Sequence, residues 1–508
     1  MCGIIGILGN KSVSQDLFDG LVLLQHRGQD SAGIMTYSDR FHLKKGNGLV
    51  REVFHTKNMI RLKGPMGIGH VRYPTAGGYD AAEAQPFYVN SPFGISLIHN
   101  GNLTNYEQLK SDVKKNNIRH LNTGSDSEVL INVVANEILK INKLSLTPAD
   151  IFKSLKNVFA RCKGSYSVIM MIAGYGLIAF RDRNGIRPLI FGKREDGKLQ
   201  TEYVFSSESV AVEALGFQID SDVQPGEAIF IDMKRKVHRH QIVKTEWAPC
   251  IFEHVYLARP DSVLDKVSVH KTRLRMGVSL AKQIRKAMDK DHLKIDIVVP
   301  IPDSSRTAAL SLAEELKIPY REGLIKNRYI GRTFIMPGQE IRKKSIRYKL
   351  NPIVLELRNK NVLLVDDSIV RGNTSKKIVE MVRSSGAKSV YFASTCPPLR
   401  FPCAYGVDMP SKKEFIANQL NISQIGKVIN VDRLFYQTME DLKESAHAGN
   451  PKIKRFCAAC MDGKYPTPEV TKPMLAKIEK ARDEYRGGSE VSGGSDEPSA
   501  PDEQLTLV

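Results

Sequence analysis

The chain has 508 residues, 42% of them hydrophobic, too many for one ordinary core and enough for two domains. No apolar run is long enough to cross a bilayer, and the first residues, MCGIIGILGN, lack the basic region of a secretory signal. Seven scattered cysteines argue against a disulfide framework, and a net charge of +19 comes with no helix-turn-helix, zinc-finger or RNP-like pattern. We therefore expect a cytoplasmic protein that engages neither nucleic acid nor a membrane. The mild concentration of basic residues in 321–349 reads as a surface that attracts a polyphosphate.

Residues 2–235 alternate short β-rich runs with glycine turns and predict a layered α+β domain. Strands are expected at Gly3–Leu8, Met66–Arg72, Gly94–His99, Ser167–Ile172 and Glu227–Ile231, with helices near Val13–Leu24 and Ser127–Leu139. Once Met1 is removed, Cys2 carries both a thiol and a free α-amino group. With a reference pKa of about 7.7–8.0, that amine can take up the thiol proton near neutrality. The thiolate is a strong nucleophile for acyl transfer. A small buried residue at a strand start is the other reading of this position.

Three further stretches bear on Cys2: QHRGQDSAG at 25–33, HVRYPTAG at 70–77 and HNGNL at 99–103. Together with MCGIIG they closely resemble the class II glutamine amidotransferase domain, an N-terminal-nucleophile hydrolase. The resemblance implies that Cys2 attacks the glutamine side-chain amide and releases ammonia. It assigns the oxyanion hole to Asn100 and the Gly101 N–H. Arg72 would hold the glutamine α-carboxylate, Asp126 its α-ammonium, and Arg27 and Gly28 would shape the pocket. An arginine fork suits a carboxylate, and amide donors suit a developing oxyanion. His26, His70 and His99 could in principle pair with Cys2, but the resemblance accounts for all three as structural residues of the pocket. RDRNGIRP at 181–188 and SSES at 206–209 read as scaffold. Arg187 and Glu208 either line the pocket or form an ion pair.

From residue 250 to 470 strands alternate with helices, as in an α/β domain. A strand at Ile295–Val299 leads through PIPDSS to a helix at Arg306–Leu316. The segment REGLIKNRYIGRTFIMP at 321–337 carries Lys326, Arg328 and Arg332 around Gly331, a composition suited to closing over a polyphosphate. Asn361–Ser375, NVLLVDDSIVRGNTS, has an apolar strand ending in Asp366 and Asp367, a polar loop with Gly372, and the start of a helical pattern that stops near Gly386. Ser389–Ser394 completes the β–loop–helix–β unit. Ligands of parallel sheets gather beyond the strands' carboxyl ends. A loop rich in N–H groups at a helix start suits phosphate, and two carboxylates suit sugar hydroxyls or magnesium. The unit therefore asks for a phosphorylated sugar.

This signature resembles that of the type I phosphoribosyltransferases, which implies a domain with a parallel sheet. With VYLARPDS at 255–262, PIPDSS and KNRYIGRTFIMPGQ, the chain from Cys2 to about Thr467 resembles the glutamine phosphoribosylpyrophosphate amidotransferases. The resemblance implies that ammonia from glutamine displaces pyrophosphate from phosphoribosyl pyrophosphate. The products would be 5-phosphoribosylamine, glutamate and pyrophosphate, in the first committed step of purine (IMP) synthesis. It implies one magnesium ion at Ser304, Asp366 and Asp367. The 5-phosphate loop would be Ser368, Arg371, Gly372, Thr374 and Ser375, and Lys326 and Arg332 would contact pyrophosphate. Asn373 stands where the family usually has threonine; its backbone N–H is unchanged. The family also suggests a homotetramer inhibited by purine nucleotides.

Cys457 and Cys460 form a CxxC, with Cys250 and Cys403 far away in sequence. Four thiolates suit an iron–sulfur cluster or zinc, and four thiols can also simply pack in a core. All four match cysteines of the cluster-bearing branch of the family. That match implies a [4Fe-4S] cluster clamping the C-terminal segment, with structural zinc or no metal as alternatives. Cys162 and Cys396 have no such match and read as packing residues. The tail 486–508, rich in Gly, Ser, Pro and acids, is expected to be disordered.

Overall fold

The computed structural model describes residues 1–73, 81–195, 197, 199–327, 350–409, 411–477 and 479–480. Arg328, Arg332 and the tail 486–508 lie outside the described residues. None of the described helices is long and apolar enough to cross a membrane.

The N-terminal part is built on two antiparallel sheets of seven and six strands. Alternation along each strand sets the layers, because successive side chains point to opposite faces. In Gly3–Leu8, Ile5 and Ile7 pack outward against the helix Ser14–Leu23, while Ile4 and Leu8 enter the layer between the sheets. In Gly164–Ile172, Ile169 and Met171 meet them there. Val168, Met170 and Ile172 face outward, against the helices Asp126–Leu139 and Pro148–Arg161. The result is helix, sheet, sheet, helix, with apolar cores in all three gaps. The strand Val237–Gln241, past the expected boundary at 235, pairs with Glu227–Asp232 at the edge of the six-stranded sheet.

The C-terminal part contains a four-stranded parallel sheet in the order Ile297–Pro300, Asn361–Asp366, Ser389–Ser394, Arg433–Tyr436. Val362 and Leu364 face the helix Asn373–Ser384. Leu363 and Val365 face the long helix Val269–Asp291 and the helix Arg306–Leu316. Both sheet faces are thus covered, which is why these strands read as continuous apolar runs. The hairpin Leu324–Lys326 with Leu350–Pro352 flanks the sheet.

The parts are joined by buried ionic contacts. Arg181 forks onto Asp265 at 2.6 and 2.9 Å, and the Asp265 N–H donates to Asp222 at 2.8 Å.

Candidate functional sites

The first strand starts directly after Cys2, which brings this residue against the neighbouring sheet. Its N–H donates to Asn100 Oδ1 at 3.3 Å, its carbonyl accepts from Arg27 Nε at 3.1 Å, and its thiol lies 3.8 Å from Tyr73 O. Asn100 sits on the strand Ile95–Leu103 and is fully buried. Its Nδ2 has no partner among the described residues. A buried amide donor is costly to leave unpaired, so this one, on the residue that accepts the Cys2 N–H, is available to an incoming oxygen. Gly101 follows; a β-carbon there would lie 2.1 Å from Ser165 O.

Arg72 ends the strand Met66–Arg72. The QHRG turn packs on that end so closely that a β-carbon on Gly28 would lie 2.5 Å from the Arg72 carbonyl carbon. Asp126 opens the helix Asp126–Leu139 and accepts the Leu103 N–H at 3.0 Å. Burial pushes its carboxyl up. His99, the Leu103 N–H and the Ser127 hydroxyl outweigh this and hold it below the usual range. Glu83, which the sequence did not single out, lies 3.7 Å from Arg72; burial raises its carboxyl.

The three histidines have other partners than the thiol. His26 meets Glu208 at 2.7 Å, and His99 meets Ser127 at 3.1 Å. His70 meets the His99 carbonyl at 3.3 Å, and burial with nearby Arg72 keeps it neutral. Arg187 and Glu208 are not paired with each other. Glu208 takes Arg27 and, through its other oxygen, the Arg259 N–H and Ser262 hydroxyl. Arg187 pairs with Glu253 at 3.2 Å, and Arg27 holds the same carboxylate at 2.9 and 3.1 Å. Arg27 thus ties the Cys2 backbone to Glu208 of its own domain and to Glu253 in the stretch leading into the other.

At the second site, the strand Asn361–Asp366 delivers Asp366 and Asp367 to the carboxyl end of the parallel sheet. The PIPDSS turn arrives beside them: the Ser304 hydroxyl donates to Asp367 Oδ2, and Ser368 donates to Oδ1 at 2.6 Å. Burial pushes both carboxyls up; the charge of Asp367 adds to the rise at Asp366, while Ser304, Ser368 and Arg273 only partly offset it at Asp367. Adjacent carboxylates with this penalty favour a cation. Gly372 caps the following helix at φ +79, and a β-carbon there would lie 2.6 Å from Ile416 Cδ1. Among the described residues no side chain caps this helix, so its first-turn N–H groups, near Thr374 and Ser375, can take a phosphate. Arg371 pairs with Glu414 at 2.7 Å and Lys326 with Asp303 at 2.9 Å.

Cys250, Cys403, Cys457 and Cys460 line one apolar cavity with Tyr405 and Tyr465. The backbones at 250 and 457 form an isolated bridge, with Ile251 N–H donating to Cys457 O at 3.1 Å. Burial pushes the Cys250 thiol up to about 11, and Cys457 and Cys460 well above the usual range. Arg187 lies beside Cys250, Cys403 and Cys457; burial lowers its guanidinium, and its interactions with these cysteines and with Glu253 more than offset this. Among the described residues no three His, Cys, Asp or Glu side chains converge closely enough to hold a single metal ion. Cys162 and Cys396 are buried; they do not line this cavity.

Residues 75–214 match the model of the glutamine amidotransferase domain, and residues 268–435 that of the phosphoribosyl transferase domain. The chain is 55% identical over 489 residues to the amidophosphoribosyltransferase of Pseudomonas aeruginosa, covering 95% of this chain and 96% of that one. It is 49% identical over 487 residues to the Escherichia coli amidophosphoribosyltransferase, with 95% and 96% covered. Among solved structures, a glutamine phosphoribosylpyrophosphate amidotransferase from B. subtilis, complexed with ADP and GMP, superposes with a TM-score of 0.81. It is 35% identical, with 93% of this chain and all of that one covered.

Proposed function

The chain belongs to the amidophosphoribosyltransferase family, and from that premise we propose that Cys2 hydrolyses glutamine while the aspartate pair receives phosphoribosyl pyrophosphate. The products are 5-phosphoribosylamine, glutamate and pyrophosphate, the entry to purine synthesis. The observation that carries the glutaminase assignment is the buried Asn100 Nδ2, which has no partner among the described residues, on the residue that accepts the Cys2 N–H. With Met1 removed, the Cys2 amine takes the thiol proton and the thiolate attacks the amide carbon. Asn100 and the Gly101 N–H hold the oxyanion, and the amine returns the proton to the leaving nitrogen. Water then releases glutamate from the thioester. Arg72 and Asp126 hold the amino-acid end.

At the other site the first turn of Asn373–Ser384, with Ser368, Arg371, Thr374 and Ser375, grips the 5-phosphate. Lys326 exchanges Asp303 for pyrophosphate, and Arg371 exchanges Glu414 for phosphate. Ser304, Asp366 and Asp367 would hold one magnesium ion, which supplies charge neutralisation of the leaving pyrophosphate. Two carboxylates with substrate oxygens are a sufficient ligand set for it.

The four cavity cysteines fit a [4Fe-4S] cluster better than zinc. A single zinc ion needs its sulfurs at about 2.3 Å from one centre, whereas a cluster accepts thiolates spread around a cavity, as these are. Cys250, Cys457 and Cys460, whose thiols burial pushes up, ionise only with such a partner. A cluster there would clamp the C-terminal segment to the body. A homotetramer in the cytoplasm, inhibited by purine nucleotides, completes the reading; the ADP and GMP bound to the B. subtilis relative support the inhibition alone.

The test is incubation with glutamine, phosphoribosyl pyrophosphate and magnesium. Pyrophosphate release no greater than in the glutamine-free control would reject the assignment. Cys2→Ala should abolish glutamine use and spare transfer from ammonia. Iron and sulfide analysis of anaerobically purified protein tests the cluster; stoichiometric zinc without iron would exclude it.

A further inference from the structure

The segment carrying Cys403 also reaches the strand that carries Asn100 and Gly101. Asn102 Nδ2 donates to Ala404 O at 2.9 Å, and Ser165 Oγ donates to Tyr405 O at 3.0 Å. Arg187 donates to the same Tyr405 carbonyl through Nε at 2.8 Å and Nη2 at 2.6 Å. The next residue, Gly406, passes directly against Gly101. A β-carbon on 406 would lie 2.5 Å from Gly101 O, 2.8 Å from its carbonyl carbon and 3.2 Å from its Cα. Gly406 also has φ +92, a conformation other residues reach only with strain. Three consecutive residues from the C-terminal part are therefore fitted, backbone first, onto the backbone that would form the oxyanion hole.

Oxyanion donors act through exact placement, and placement comes from the shell around them. We propose that Gly406 is a positioning residue for glutamine hydrolysis. Together with the Ala404 and Tyr405 carbonyls it fixes the Gly101 peptide, so that the Gly101 N–H and the Asn100 amide point at the oxygen of the tetrahedral intermediate. The C-terminal part thereby completes the glutaminase site without touching glutamine. This inference rests on the glutamine-hydrolysing reading of Cys2.

Two variants test it. Gly406→Ala inserts a methyl group where Gly101 lies, and Ser165→Ala removes only one hydroxyl from the same seam. Loss of a complete oxyanion donor lowers kcat by about 10²–10³. A displaced donor should therefore lower glutaminase kcat at least about tenfold in Gly406→Ala and a few-fold in Ser165→Ala. KM for glutamine should stay within about twofold, because Arg72 and Asp126 are untouched. Alkylation of Cys2 by iodoacetamide forms no oxyanion and should keep its wild-type rate. A Gly406→Ala kcat within about twofold of wild type overturns the proposal. So does a KM that rises as much as kcat falls, or an alkylation rate that falls in parallel. If Gly406→Ala does not fold, Ser165→Ala decides, and an unchanged kcat there overturns it. Absence of glutamate release by the wild-type protein would instead reject the underlying reading.

Discussion

Asn100→Ala is expected to cost catalysis far more than stability. The side chain is fully buried, and among the described residues it makes one hydrogen bond, from the Cys2 N–H to Oδ1 at 3.3 Å. Losing that bond costs about 1 kcal/mol, while removing an unpaired buried donor returns about 1–3 kcal/mol. The small cavity left behind costs on the order of 1 kcal/mol. The sum leaves the unfolding free energy within about 2 kcal/mol of wild type. The reaction loses one of its two oxyanion donors, worth about 10²–10³ in kcat, or about 2.7–4 kcal/mol. Steady-state glutamate release gives the first quantity and urea unfolding the second. A kcat within about tenfold of wild type would refute the role given to Nδ2. An unfolding free energy lowered by more than about 3 kcal/mol would show that the amide is paired in the native protein.

Arg27→Ala leaves the Glu208 and Glu253 carboxylates short of a buried partner and should destabilise the protein by about 3–5 kcal/mol in urea unfolding; a loss under about 1 kcal/mol would mean the network is solvated. Gly372→Ala forces a left-handed alanine, at about 1–2 kcal/mol, and sets a methyl group 2.6 Å from Ile416 Cδ1. It should raise KM for phosphoribosyl pyrophosphate about tenfold or more with glutamine hydrolysis retained, and an unchanged KM would remove this loop from the phosphate site. Asp222 is raised to about 7 by burial and by Asp265. Because the folded value lies above the unfolded one, its contribution to stability is complete below about pH 4 and is lost as pH rises through about 7. Asp222→Asn, which mimics the protonated form, should lose less stability than wild type between pH 5 and 8, and equal losses in urea titrations at the two pH values would contradict the assignment.

Much of this architecture is legible from local pattern. The strands Gly3–Leu8 and Met66–Arg72, the helix Arg306–Leu316 and the strand Ser389–Ser394 occur where period and turn residues place them. The strand–loop–helix at Asn361–Ser384 is likewise local, because a strand end, a left-handed glycine and a helix start are all set by neighbours in sequence. The second carboxylates were not legible. Glu83 beside Arg72, Glu253 between Arg27 and Arg187, and Asp265 under Arg181 are pairs formed across the fold. An ionisable residue in a polar-looking stretch carries no sign of which distant charge it will meet, so Arg187 and Glu208 read equally well as partners until the chain is folded.

The sequence alone determined the chemistry on offer: a thiol at position 2, an amide and a glycine at 100 and 101, a carboxylate pair before a glycine-containing loop at a helix start, and the cysteines 250, 403, 457 and 460. These are properties of residue type and short spacing. Only the tertiary structure decided how they are brought into use. It left the Asn100 Nδ2 without a partner among the described residues, gathered four cysteines spanning residues 250–460 around one cavity, and pressed Gly406 onto Gly101. Each of these depends on burial and on contacts between segments far apart in sequence, within the N-terminal part for Asn100 and Cys2, within the C-terminal part for the cysteines, and between the two parts for Gly406 and Gly101, which no local pattern encodes.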